Sequence, residues 1–146
     1  MIFPMKRILL FLVALCLASP ALADQPTAGS LAGALPYHYL SGASTNGTTV
    51  VARPGNVYSI VAVNTTTTLY YLKFYDTSST PTCNSSTVVQ TYAIPFGASS
   101  AGGGFALSLP VGMRFDNGIS FCITGGIADN DNTNAAAGVS LSLTYR

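Results

Sequence analysis

From Pro36 onward the chain alternates apolar and polar residues in short runs, and no run keeps a helical period. Phe105, Leu107 and Leu109 alternate with Ala106 and Ser108. Ile119, Phe121 and Ile123 alternate with Ser120, Cys122 and Thr124. Val139, Leu141, Leu143 and Tyr145 alternate with Ser140, Ser142 and Thr144. Successive strand residues point to opposite faces, so each run predicts a strand with one buried and one wetter face. Further strands are predicted at residues 37–41, 48–53, 57–63, 69–75 and 88–94. The run 57–63 is apolar on both faces and reads as central. Between the runs lie turn signals: Pro54-Gly55, Asn64 followed by threonines, Pro95, and the stretch "GASSAGGG". About eight strands with such punctuation predict one all-β domain over 36–146, an antiparallel β-sandwich of jelly-roll type. Residues 24–35, "DQPTAGSLAGAL", read as a flexible lead-in.

The first residues carry a different pattern. Lys6 and Arg7 precede an apolar run over 8–18, and Ala21-Leu22-Ala23 offers small residues before Asp24. That is a secretory signal peptide over 1–23, with cleavage expected near Ala23-Asp24. The run is shorter than the ~20 residues a bilayer span needs. Export to a bacterial periplasm or to the outside follows. Without the leader, four basic residues (Arg53, Lys73, Arg114, Arg146) face five acids (Asp24, Asp76, Asp116, Asp129, Asp131). So sparse and balanced a charge set gives no footprint for nucleic acid or anionic lipid. Cys83 and Cys122 remain, and in an oxidising compartment such a pair predicts a disulfide. Cys122 shares its face with Ser120 and Thr124, which puts the bridge on the outer face or an edge of a sheet and not in the main core.

Candidate chemistry is thin. Asp129, Asn130, Asp131, Asn132 and Asn134 crowd oxygen ligands into "GGIADNDNTNAAAG". An EF-hand needs glycine at the sixth loop position and a bidentate glutamate at the twelfth. Those positions are Asn134 and Ser140, so calcium could be held only by a looser set. The competing reading is a long turn capped by Asx side chains. His38 in "PYHYL" has no nucleophile pattern to join. Asp76 and Asp116 sit in turn-like settings, although paired carboxylates can hydrolyse sugars. "AGGGF" lacks the ending of a phosphate loop. Leu69, Tyr71, Lys73 and Tyr75 share a strand face that suits a protein partner or a stacked sugar, since tyrosines gather at interfaces. Glycosylation sequons stand at Asn46, Asn64 and Asn84.

The stretches "YLKFYD" with Thr80-Pro81-Thr82, then "GISF", then "ITGGIAD" follow in an order that is familiar. In these the chain resembles small β-rich proteins of tailed bacteriophages and prophages, which are presumed virion structural proteins. The resemblance covers nearly all of the chain after the leader. It implies a compact β-sandwich and no reaction, and it carries over no catalytic residue. Virion proteins assemble without an export signal, whereas this chain has one. The expectation is therefore an exported, non-catalytic structural or interaction module on a virion-type domain, self-associating or bound to a protein partner, with no cofactor. The alternative is a small secreted module binding carbohydrate or calcium.

Overall fold

The computed structural model describes residues 33–84, 87–97 and 102–146. The expected signal peptide and most of the lead-in lie outside these residues. Eight strands follow in order: β1 (Leu35–Leu40), β2 (Thr48–Val51), β3 (Gly55–Asn64), β4 (Tyr70–Asp76), β5 (Val88–Ile94), β6 (Gly103–Phe115), β7 (Ile119–Thr124) and β8 (Val139–Tyr145). β1 pairs with β8, β2 with β7, β3 with β6 and β4 with β5, all antiparallel. The chain is thus one long hairpin with its tip at β4–β5. Further pairing of β8 with β3 and of β7 with β4 winds it into two sheets, ordered β1-β8-β3-β6 and β2-β7-β4-β5. That interleaving is the jelly-roll sandwich the alternation predicts.

The core lies between the sheets. Val139, Leu141 and Leu143 of β8, Ile60 and Ala62 of β3, Leu72 and Phe74 of β4, and Phe121 of β7 are all buried there. Tyr37 and Tyr39 of β1 meet the Phe121 ring edge-on, at centroid distances of 6.3 and 5.2 Å. Phe74 bridges Tyr92 of β5 and Phe115 of β6. Truncating a ring at such a site costs about 3–5 kcal/mol, because the sheets cannot close on the void.

Two elements depart from their sequence pattern. β6 runs on past Leu109, but its pairing jumps from Ser59↔Ser108 to Val57↔Met113. Leu109, Pro110, Val111 and Gly112 bulge out there. Pro110 has no N–H to lose at such a place, and Gly112 supplies a φ of 73°. β7 was expected to have a wetter face, yet every residue of it is buried. Ser120, Cys122 and Thr124 look outward-facing by type, but loops of the same chain roof them.

Candidate functional site

β4 sends Tyr70, Leu72 and Phe74 into the core, so Tyr71, Lys73 and Tyr75 stand on the outer side of its sheet. That side is not an open interaction surface. Lys73 and Tyr75 are 0% and 1% exposed, and Leu69 and Tyr71 are half-buried. Two loops sit on it.

The first loop is the Asp/Asn-rich stretch after β7. Lys73 Nζ donates to the backbone carbonyls of Ala128, at 2.5 Å, and Asp131, at 3.2 Å. The loop closes on itself around that contact. Asp131 Oδ1 accepts from the N–H groups of Gly126 (2.9 Å) and Thr133 (3.0 Å), and Oδ2 accepts from the Thr133 hydroxyl at 3.0 Å. Gly125 N–H donates to Thr133 O, and Asp131 N–H to Ala128 O. A Cβ at Gly126 would meet the Asp131 carboxylate, so a side chain there would have to push that carboxylate off its donors. Asp129, Asn130, Asn132 and Asn134 are exposed on the outer side of the loop. The Ala128 and Asp131 carbonyl oxygens face inward onto the Lys73 ammonium. Burial pushes the Lys73 ammonium below its ordinary pKa, while the charges of Asp131 and Asp129 push it back part of the way. Burial pushes the Asp131 carboxyl up, but its N–H and hydroxyl donors and the Lys73 charge outweigh that and hold it below the ordinary range.

The second loop, after β4, is tied down by the bridge between Cys83 and Cys122, whose Cα atoms are 5.8 Å apart. The bridge lies on the outer side of the sheet, as the Ser120–Cys122–Thr124 alternation implies, but it is sealed. Tyr75 and Val88 pack on it, and the Tyr75 hydroxyl donates to Cys83 O at 3.2 Å. Ser120 Oγ donates to the carbonyl of Thr77 at 2.9 Å.

Of the remaining candidates, Asp76 and Asp116 sit at turns and His38 on a strand. Asp76 accepts from the N–H groups of Asp116, Asn117 and Gly118 and from the Asn117 amide. Burial raises its pKa, but these donors together lower it further. Asp76 clamps the β6–β7 turn, and Asp116 pairs with Arg114 at 2.6 Å on the surface. His38 Nδ1 lies 3.3 Å from Ser142 Oγ, exposed on the other sheet. Asn46 and Asn64 are buried with both side-chain ends hydrogen-bonded, so neither sequon is open in the folded chain. Among the described residues no group of three or more His, Cys, Asp or Glu is placed to hold a metal.

Among the described residues no loop covers the outer side of the β1-β8-β3-β6 sheet, which the sequence pattern did not single out. The strand registers arrange it in three rows. Leu40, Ser140, Val63 and Gly104 form one. His38, Ser142, Val61 and Ala106 form the next. Pro36, Thr144, Ser59 and Ser108 form the third. None of these residues carries a carboxylate, an ammonium or a guanidinium. Val61, Val63 and Leu40 are 41%, 43% and 66% exposed.

No family model, no curated protein and no solved structure matches the chain. No helix among the described residues is long and apolar enough to cross a membrane.

Proposed function

We propose that the protein is an exported, non-catalytic structural or interaction module that works by associating with protein through the bare face of its β1-β8-β3-β6 sheet. One observation carries the reading. The two sheets are treated oppositely: one carries two loops, a buried lysine and a disulfide on its outer side, and on the other twelve uncharged residues are left uncovered by any described residue. Interface centres are depleted of charged residues, and contiguous apolar exposure marks contact surfaces. The disulfide supports an oxidising compartment, in keeping with the leader at 1–23. Eight-stranded jelly rolls serve as capsid and lectin domains, which agrees with the virion-type resemblance, although fold alone does not assign a role.

The test is made in the producing cell. The reading expects the chain in the exported fraction, with a new N-terminus near Asp24, inside a complex heavier than one chain. Val61→Lys, at an exposed strand position, should release it from that complex without lowering its yield. Recovery of the native chain only as a free single copy would sink the association reading. A chain retained in the cytoplasm with its leader intact would sink export.

A further inference from the structure

The bare face has a relief that fits itself. Across the sheet its columns alternate in size. β1 offers Leu40, His38 and Pro36, and β3 offers Val63, Val61 and Ser59. Between and beside them, β8 offers Ser140, Ser142 and Thr144, and β6 offers Gly104, Ala106 and Ser108. The ridges on β1 and β3 therefore flank one furrow over β8, and a low strand, β6, lies beyond β3 at the edge of the sheet. The furrow over β8 is a hollow of about 410 Å³ walled by Pro36, His38, Ser59 and Val61. Over β6 the surface is only a shallow, open depression beside Val61 and Val63.

We infer that the occupant of this face is a second copy of the same chain, packed sheet on sheet about a two-fold axis parallel to the strands. This rests on the association reading above and names its partner. Such an axis keeps each row over itself and reverses the column order. β1 then lies over β6 of the other copy, and β8 over β3. Leu40 meets Gly104, His38 meets Ala106 and Pro36 meets Ser108. Val63 meets Ser140, Val61 meets Ser142 and Ser59 meets Thr144. Val61 and Val63 of the β3 ridge enter the furrow at Ser142 and Ser140, the β1 ridge lies on the low strand β6, and the arrangement is the same seen from either copy, as a two-fold contact requires. Aligned sheets pack with strands rotated by about 30°, so the match is closest at the centre, around Val61 and Ser142. The twelve residues of the three rows offer a charge-selected partner nothing to recognise, and a copy of them brings no like charges together. The face is four strands wide, about 19 Å, and about 17 Å along the strands. That is small against the roughly 800 Å² per partner of a standard interface, so the dimer should be concentration-dependent.

The experiment is sedimentation of the purified chain over a wide concentration range, for the wild type, Val61→Lys, Ser142→Asp and an equal mixture of the two variants. Both positions face outward, and thermal melts check that each variant folds. The expected result is a wild-type dimer weakened at least tenfold in each variant, because each variant dimer buries two charges with no opposite charge facing them across the contact. The mixture should recover the dimer, since the new ammonium and the new carboxylate face each other across the contact. A wild type that stays monomeric at every concentration overturns the inference. So do variants that dimerise like the wild type, or a mixture that gains nothing. If the purified chain is monomeric yet Val61→Lys still frees it from its complex in the cell, the association reading stands and the second copy is the wrong partner.

Discussion

The ammonium of Lys73 on β4 donates to the backbone carbonyl of Asp131 at 3.2 Å, beneath a loop whose sequence crowds Asp and Asn side chains and reads either as a capped turn or as a loose calcium site. The loop folds because its carbonyls have an internal cation, and the lysine tolerates burial because the loop brings it oxygens. Lys73→Met should therefore loosen the loop more than the sandwich. The expected cost is about 1–3 kcal/mol, the price of leaving carbonyl acceptors without their donor. Amide exchange across residues 125–134 should rise sharply, with little change in β3 and β8. Uniform loss of protection would show that Lys73 supports the whole fold instead.

The same contact bears on calcium. Asp131 spends its carboxylate oxygens on Gly126 and Thr133, and Lys73 already fills the inward side of the loop. Melting of the wild type should be indifferent to millimolar calcium and to chelator. A midpoint that rises with calcium and falls with chelator would restore the exposed Asp129 and its neighbours as ligands.

Asp76 and Asp131 set the acid limit of stability. Both have folded-state pKa values lowered from 3.8. For such a group the contribution is complete above the unfolded value and is lost as pH falls through the folded one. Urea midpoints should hold near neutrality and drop below about pH 4 as these carboxylates take up protons. Asp76→Asn should be less stable at neutral pH by roughly 1–2 kcal/mol, since one acceptor facing the turn N–H groups becomes a donor. Its midpoint should also vary less with pH across the acid range. An acid profile identical to wild type would remove Asp76 as the clamp of the β6–β7 turn.

Strand positions were legible because alternation is a local property. β8 announces itself by Val139, Leu141 and Leu143 whatever the rest of the chain does. The outer sides of the sheets were not legible, because their fate is set by distant partners. Ser120, Cys122 and Thr124 have the composition of a wet face, and only the loops from Thr77 and Gly125 make it dry. Lys73 looked like a charge on an open surface, yet its acceptors lie more than fifty positions away. The ridge-and-furrow face is harder still to see. Each of its strands looks unremarkable alone, and the pattern exists only once register places Val61 beside Ser142 and Ala106.

The disulfide joins residues 39 apart and sits in its own small cluster with Tyr75 and Val88, apart from the core between the sheets. Closing a loop of that length is worth about 3–4 kcal/mol in the chain-entropy model. Cys83→Ala with Cys122→Ala should lose about that much, plus a smaller penalty for the void at the fully buried Cys122. Reducing the unaltered protein after unfolding, then refolding it in reductant, separates the two effects: the tether is lost and the sulfur volume stays. The reduced wild type should therefore fall between the oxidised wild type and the double variant. The folded bridge should also resist reductant, because Cys122 is sealed beneath the loop that Cys83 anchors. Its reduction rate should follow opening of that loop and speed up when Tyr75→Phe removes the hydroxyl bound to Cys83 O. Rapid reduction at native pH, with Tyr75→Phe making no difference, would mean the roof over β7 opens freely and does not protect the bridge.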